Sequence, residues 1–211
     1  MIKAILYDLD GTLLDSIEDL GDSLNLFLER LGQEPTTIEQ FRALLEIGSR
    51  ELLLDSIHRI PEGMEPSTLY DMYNEEYSKR LWVKTKPFEG VYDMLEAINQ
   101  RGIRQAVISN KPHSLVEPIC DYFFDGIFER CLGTIPLPPK PDPTMIQQVM
   151  EDLLVKPDEV LYLGDTLGDM KAAKNAGVCG IWVDWGYGGK HVFDRMLHHP
   201  LELLDVLEEL A

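Results

Sequence analysis

The stretch IKAILYDLDGTL, residues 2–13, combines a short apolar run with two aspartates and a glycine. The run at 2–7 is nearly continuous in apolar residues, which is typical of a strand buried on both faces of a parallel sheet. Asp8 and Asp10 follow where the run ends, and Gly11 predicts a turn directly after them. Because side chains two positions apart lie on the same face of a strand, both carboxylates are expected to point the same way.

Further apolar runs of the same character alternate with helical patterns along the rest of the chain. The runs lie at 104–108, 160–163 and 180–183, with a weaker one at 131–133, and the helical patterns between them include 91–101, 143–154 and 168–176. This alternation predicts an α/β fold with a Rossmann-like, parallel-sheet core.

One interval, residues 16–83, breaks this rhythm because it contains helical periodicity and no convincing strand. We therefore expect an inserted α-helical domain at 16–83, and a core domain formed by 1–15 and 84–211. At the start of the insert, Ser16 and Asp19 resemble the N-terminal cap of a helix.

The composition is that of a globular protein with a strong acidic excess. Apolar residues make up 45% of the chain, and the formal net charge is −18. An acidic surface repels nucleic-acid backbones and anionic membranes. We therefore expect no nucleic-acid partner and no membrane partner.

The cysteines point to a reducing compartment. Cys120, Cys131 and Cys179 are odd in number and lack the spacing of metal ligands, which suits an intracellular protein. In addition, no apolar run reaches the roughly 18 residues that span a bilayer. We expect the protein to be cytoplasmic.

A second group of carboxylates lies in GDTLGD, residues 164–169, where an apolar run meets the start of a helix. Alone, this segment is more typical of a helix cap formed by Asp165 or Thr166. In a parallel sheet, however, all carboxyl ends of strands lie at one edge. Asp8 and Asp165 can then share a magnesium ion, which prefers one or two carboxylates together with phosphate and water.

Two further segments offer groups for an anion. Ser109 and Asn110 follow the second strand, where a hydroxyl and an amide can hydrogen-bond phosphate, although a plain turn is the simpler interpretation of that pair. Lys140 lies in the proline-rich stretch 138–143, whose stiff backbone can aim the ammonium at a crowded group of carboxylates.

In this order and spacing, the four segments resemble the motifs of the haloacid-dehalogenase superfamily. Within it, the chain is most similar to the phosphoglycolate-phosphatase-like branch, which carries a helical cap after the first strand. The resemblance implies a magnesium-dependent phosphatase that acts on small phosphate monoesters. It extends over essentially the whole chain and implies that the insert is the cap, which closes over the phosphate.

By this resemblance, the aspartates take distinct roles. Asp8 corresponds to the nucleophile, which forms an aspartyl-phosphate and also binds Mg²⁺. Asp10 corresponds to the general acid and base, with its backbone carbonyl on the metal. Asp165 corresponds to the acidic metal ligand, and Asp169 to a second acid that more often holds metal-bound water.

The remaining candidates would contact the substrate. Ser109 and Lys140 correspond to the phosphate-binding residues, with Asn110 as a neighbour that contacts substrate or phosphate. In the cap, Gly48 and Arg50 lie in a candidate substrate loop, where Arg50 can recognise a carboxylate or a second phosphate. An exposed first helical turn is an equally good interpretation of Arg50.

The expected partner is a small phosphorylated metabolite, with phosphoglycolate as the first substrate to test, and the expected assembly is a monomer or a homodimer. Two alternatives stay open from the sequence. A phosphomutase of the same superfamily uses the same motifs, and a regulatory receiver domain is also phosphorylated on aspartate. The nucleophile on the first strand and the large helical insert count against the receiver domain.

Overall fold

The computed structural model describes residues 1–45, 49–57 and 60–210. The chain divides into two compact units, which we call the core unit and the insert unit. The core unit comprises Met1–Asp15 and Pro87–Ala211, and the insert unit comprises Ser16–Lys86.

Helices and strands alternate along the core unit, whereas the insert unit is mostly helical. The strands are β1 (Ala4–Tyr7), β2 (Leu14–Asp15), β3 (Lys86–Pro87), β4 (Arg104–Pro112), β5 (Arg130–Thr134), β6 (Val160–Gly164), β7 (Cys179–Val183) and β8 (Met196–Leu197). The helices are α1 (Ile17–Arg30), α2 (Ile38–Leu45), α3 (Ser49–Ser56), α4 (Pro66–Ser78), α5 (Val91–Gln100), α6 (His113–Phe124), α7 (Thr144–Asp152), α8 (Leu167–Ala176) and α9 (Glu202–Glu209). None of the helices in the described ranges combines the length and the apolar character that a bilayer crossing demands.

The core unit is built on a six-stranded sheet in the order β5-β4-β1-β6-β7-β8, and its paired strands run parallel. β1 lies between β4 and β6, with Tyr7 level with Val107 on one side and with Leu163 on the other. The α/β prediction with a parallel sheet is therefore confirmed. The register also brings the ends of β1, β4 and β6 to one edge of the sheet.

Burial on both faces explains why the strands are continuously apolar. All four residues of β1 are fully buried. Ala4 and Leu6 belong to one apolar cluster with residues of α7 and α8, including Ile146 and Ala172. Since Ile5 and Tyr7 point to the opposite face and are equally inaccessible, no polar alternation can appear in this strand.

The structure extends the second predicted strand. The apolar run ends at Ile108, but β4 continues to Pro112, with a shift of register between these two residues. Pro112 pairs with Thr134 of β5. The polar residues 109–111 therefore lie within β4, near its carboxyl end, and α6 begins at His113, directly after Pro112.

In the insert unit, Ser16 is the N-cap residue of α1, as predicted, but it makes no side-chain cap bond. The buried Asp19 carboxylate instead accepts hydrogen bonds at Oδ2 from the backbone N–H of Lys84 and of Thr85, both at 2.8 Å, and from the Thr85 hydroxyl at 2.7 Å. Asp19 thereby joins the beginning of the insert to its end.

Candidate active site

Three buried carboxylates meet at the carboxyl edge of the sheet. Asp8 follows β1, and its backbone N–H donates to the Leu163 carbonyl of β6 at 2.8 Å. Asp165 follows β6 directly, and Asp169 lies in the first turn of α8. Asp8, Asp165 and Asp169 each offer one oxygen, and these oxygens lie within 4.8 Å of one another. The structure thus brings together three of the aspartates that the sequence predicted for the site.

Lys140 supplies positive charge inside this group. Its Nζ lies 2.6 Å from Asp8 Oδ1 and 2.7 Å from Asp169 Oδ1, and it also donates to the Ile108 carbonyl and the Tyr162 hydroxyl at 3.2 Å. The side chain is 4% exposed. Burial alone lowers the pKa of Lys140, but Asp169 and Asp8 outweigh this effect and hold the pKa above its usual value. The ammonium is therefore a permanent charge.

Crowding makes the carboxylates hard to ionise together. Burial, followed by the charge of Asp169, raises the pKa of Asp8 well above its usual value, although Lys140 opposes the shift. The same two causes raise the pKa of Asp165 to about 7, against the hydrogen bonds that it accepts from Tyr187 and Thr12. The group gains from a further positive charge, because three ionised carboxylates face one ammonium.

Backbone and side-chain donors fix Asp165. The Thr12 hydroxyl donates to Oδ1 at 3.1 Å, and the backbone N–H groups of Tyr187 and Gly188 donate to Oδ2 at 2.7 and 3.4 Å. A methyl group on Gly186 would overlap the Asp165 side chain, so this loop must pass close to the carboxylate. Residues 185–188 lie in the loop after β7, and this loop orients the acid.

Asp169 serves both the helix and the cluster. Thr166 is the N-cap of α8, and its hydroxyl accepts from the Asp169 backbone N–H at 3.2 Å, while Asp169 Oδ2 accepts from the Thr166 backbone N–H at 3.0 Å. The other oxygen, Oδ1, accepts from the Tyr162 hydroxyl at 2.9 Å. The sequence offered a helix cap and a place in the metal site as alternatives for residues 164–169. In the structure, this segment both caps α8 and contributes carboxylates to the cluster.

Asp10 is set apart from the cluster. Its carboxylate is not part of the group of three that the described residues form, and it makes an ion pair with the Lys111 ammonium. The Asp10 side chain is 17% exposed and that of Lys111 is 7% exposed. Asp10 is therefore the more accessible of the two acids that follow β1, as Asp8 has a side chain that is 9% exposed.

Ser109 and Asn110 lie at the same edge. Ser109 is buried, and its hydroxyl accepts from the Lys111 backbone N–H at 3.2 Å. The Asn110 side chain accepts from the Lys140 backbone N–H at 2.8 Å and donates to the Lys140 carbonyl at 3.4 Å. In this structure, Asn110 holds the segment that carries Lys140.

The structure does not test the two candidate substrate-binding residues of the insert, Gly48 and Arg50. Gly48 lies outside the described residues. Arg50 lies in α3, but its side chain is also outside what is described. Their proposed contact with substrate stays a prediction.

Comparison with known proteins identifies the family of this chain. The family model of haloacid dehalogenase-like hydrolases matches residues 5–183, which include all the aspartates described above. The chain belongs to this family. A phosphoglycolate phosphatase from Nitrosospira multiformis is 32% identical over 92% of this chain and 88% of its own length. One from Psychrobacter arcticus is 32% identical over 99% and 94%.

The structural comparison extends to both units of this haloacid dehalogenase-like hydrolase. The crystal structure of a predicted phosphoglycolate phosphatase from Haemophilus somnus is 25% identical, with a TM-score of 0.88 and coverage of 98% of each chain. The family and the relatives show that the chain is an enzyme, a phosphoric monoester hydrolase, of the branch that its sequence resembles.

The donor set of this hydrolase fits a hard divalent cation. Asp8, Asp165 and Asp169 offer oxygen atoms alone, which is the ligand type that Mg²⁺ and Ca²⁺ prefer. With Lys140 as their ammonium partner, three ionised carboxylates carry an excess of two negative charges. A divalent cation bound among them would balance that excess and favour the ionised forms.

Sequence reasoning missed several residues that hold this site together. The Thr12 hydroxyl and the Tyr187 backbone N–H donate to Asp165. The Tyr162 hydroxyl donates to Asp169. Lys111 pairs with Asp10. Two signals were present, since a tyrosine inside a buried strand needs a polar partner and a lysine directly follows the Ser-Asn pair. The hydrogen bond from the Tyr187 backbone to Asp165 cannot be predicted from residue type, because nearly every residue has a backbone N–H.

Proposed function

We propose that this enzyme is a Mg²⁺-dependent phosphatase that transfers the phosphoryl group of a small phosphate monoester to Asp8 and then to water. The observation that carries the proposal is the placement of the Asp8 carboxylate beside Lys140 and within reach of Asp165 and Asp169. A carboxylate held in this way can act as a nucleophile, because neighbouring positive charge offsets the negative charge of the incoming phosphate.

In the first step, a carboxylate oxygen of Asp8 attacks phosphorus, and the bond from phosphorus to the ester oxygen breaks. Asp10 protonates the departing oxygen. In the second step, Asp10 takes a proton from water, the water oxygen attacks phosphorus, and the bond to Asp8 breaks. These steps regenerate both side chains and release inorganic phosphate. The greater exposure of Asp10 suits a group that must meet the leaving oxygen and the water, and Asp10 enters the first step in its protonated form.

Asp8 and Asp165, with Asp169 beside them, would hold the Mg²⁺. When bound, the ion supplies charge neutralisation and orientation for the transferring phosphoryl group. Lys140 holds Asp8 and Asp169 in place from within the protein, and Ser109 lies at the same edge as a hydroxyl for a phosphate oxygen.

For the substrate, we propose a small phosphorylated metabolite, and phosphoglycolate first, because the relatives from Nitrosospira multiformis and Psychrobacter arcticus bear the name phosphoglycolate phosphatase. The acidic chain, with a net charge of −18, also argues against nucleic acid as a substrate.

The test is phosphate release from a panel of phosphoglycolate, sugar phosphates, a nucleotide and pyrophosphate, with Mg²⁺ and with excess chelator. Asp8→Asn is expected to reduce kcat by at least about a thousandfold. The matched control, Asp93→Asn on the exposed face of α5, is expected to keep normal turnover. Borohydride added during turnover should convert Asp8 to homoserine, which peptide mass spectrometry detects.

Release that persists in Asp8→Asn, or that needs no divalent ion, would overturn the mechanism. Return of the phosphoryl group to a second position of a sugar phosphate, without release of phosphate, would instead support the mutase. A phosphorylated Asp8 that persists in water for hours would support a regulatory role.

A further inference from the structure

Lys111 is a buried charge that the reaction above does not use. Among the described residues, Lys111 and Lys140 are the two buried lysines, with 6% and 7% of their surfaces exposed. Burying an ammonium is costly unless it has a charged partner. Lys140 has the cluster around Asp8, whereas Lys111 is directed to Asp10.

The backbone at Lys111 is held from two sides, and its ammonium pairs with Asp10. Its N–H donates to the Ser109 hydroxyl at 3.2 Å. Its carbonyl oxygen lies so close to Gly133 of β5 that a methyl group on that glycine would overlap it. The pairing of β4 with β5 therefore fixes the backbone position from which the ammonium reaches Asp10.

The position of Asp10 in the proposed reaction locates Lys111 relative to the substrate. A general acid must come within hydrogen-bond distance of the leaving oxygen. When both hydrogen bonds of about 2.8 Å are made by the same oxygen of Asp10, the Lys111 ammonium lies within about 6 Å of the leaving oxygen. Groups attached to the first or second carbon of the leaving alcohol fall in this range.

We propose that Lys111 determines specificity by binding an anionic group of the leaving alcohol, such as a carboxylate one carbon away from the ester oxygen. An ammonium has three donors, so it can bind a substrate carboxylate while it keeps its bond to Asp10. The inference rests on the proposed function and deepens it, because it selects phosphorylated hydroxy acids from among the small phosphate monoesters.

A different role for Lys111 is to act as a partner of Asp10 alone, and the two roles predict different kinetics. If Lys111 acts only through Asp10, its loss slows every ester by the same factor. If it binds the leaving group, its loss harms charged esters selectively and acts mainly on KM.

The experiment compares phosphoglycolate with ethylene glycol monophosphate, which has a neutral hydroxymethyl group in place of the carboxylate. The Mg²⁺-loaded enzyme is expected to prefer phosphoglycolate. In Lys111→Met, the ratio of kcat/KM for the two esters should fall by about tenfold to a hundredfold, which is the worth of a hydrogen bond to a charged group. Lys111→Arg should restore most of the ratio, because it returns the charge.

The control Lys174→Met removes one positive charge from the exposed side of α8 and is expected to leave the ratio unchanged. An equal loss on both esters, or an unchanged ratio in a folded Lys111→Met protein, would overturn the proposal. Failure of the proposed function looks different, because the unmodified enzyme would then release phosphate from neither ester. If Lys111→Met does not fold, Lys111→Gln takes its place. A ratio of kcat/KM for the two esters in Lys111→Gln that equals that of the unmodified enzyme would then overturn the proposal.

Discussion

Lys140 and Asp8 lie 132 residues apart in the chain, yet the Lys140 Nζ is 2.6 Å from Asp8 Oδ1 and both side chains are almost completely buried. Two loops at the same sheet edge bring them together, one after β1 and one before α7. The ion pair therefore requires that these two loops meet at the same edge of the sheet. It links the formation of the sheet to the formation of the site.

Removing the Lys140 charge should destabilise the enzyme as well as inactivate it. Lys140→Met leaves the buried Asp8 and Asp169 without their ammonium partner, and breaking a buried pair in this way costs about 3–5 kcal/mol. Urea denaturation with a chelator present measures the loss. Mg²⁺ should restore part of the stability of the variant, because it supplies positive charge to the same carboxylates. Equal stability of the variant and the parent without metal would contradict this account.

Without metal, the enzyme should lose stability as the pH rises. The pKa of Asp165 is raised by burial and by Asp169 from 3.8 to about 7, and that of Asp8 is raised as well. The folded state therefore binds more protons than the unfolded chain between about pH 4 and about pH 7, so the free energy of unfolding falls through this window. Denaturation curves across the window, with chelator, measure the slope.

The matched variant for this prediction is Asp165→Asn, which cannot ionise and should give a flatter dependence on pH. Mg²⁺ should also flatten the slope, since it favours the ionised cluster. A slope that is the same in Asp165→Asn would mean that the general acidic repulsion of the chain, and not this cluster, causes the loss.

The loop after β7 should control metal affinity. Gly186→Ala places a methyl group where the Asp165 side chain lies, so the carboxylate must move. We expect divalent-ion affinity to fall by about tenfold to a hundredfold, as for other residues that orient metal ligands. Calorimetric titration with Mg²⁺ or Mn²⁺ measures it.

Gly21→Ala is the matched control, because its added methyl group would meet the Ile38 side chain at an ordinary 3.4 Å. It is expected to keep the parental affinity. Unchanged affinity in Gly186→Ala would show that the loop does not position Asp165.

Asp19 should contribute strongly to the stability of the insert unit. Asp19→Ala leaves three donors of Lys84 and Thr85 without their acceptor, at about 1–3 kcal/mol for each buried group. Asp19→Asn keeps an acceptor oxygen and should lose less. Hydrogen exchange of the Thr85 amide should accelerate in Asp19→Ala and respond little to Glu18→Ala, because Glu18 is an exposed partner of Lys84. Slow exchange in Asp19→Ala would contradict the role of this carboxylate.

Strands that are buried on both faces could be predicted well from the sequence, because a short, continuous apolar run between two helical patterns is typical of a central parallel strand. The end of β4 could not, because Ser109 and Lys111 are polar and the strand pairing resumes only at Pro112. β8, Met196–Leu197, is too short to leave any periodic pattern.

For the site, strand ends and residue types were enough to place Asp8, Asp165 and Lys140 near one another. Which residues pair with these carboxylates could be learned only from the structure. A lysine after Asn110 does not reveal that its ammonium meets Asp10, and a loop after β7 does not reveal that its backbone N–H groups reach Asp165. Such contacts depend on how strands and loops stack in three dimensions, over more than a hundred residues of separation in the first case.

The bonds of Asp19 to Lys84 and Thr85 have a consequence for how such enzymes diversify. They fasten the first helix of the insert to the segment that leaves it, and all of these bonds lie inside the insert. An insert from another protein that has the same kind of hydrogen bonds between its first helix and its last segment should therefore be able to replace residues 16–86, between Asp15 and Pro87. The parallel sheet would need no change. Chimaeras cut at those two positions should keep the folded parallel sheet and the chemistry of the host.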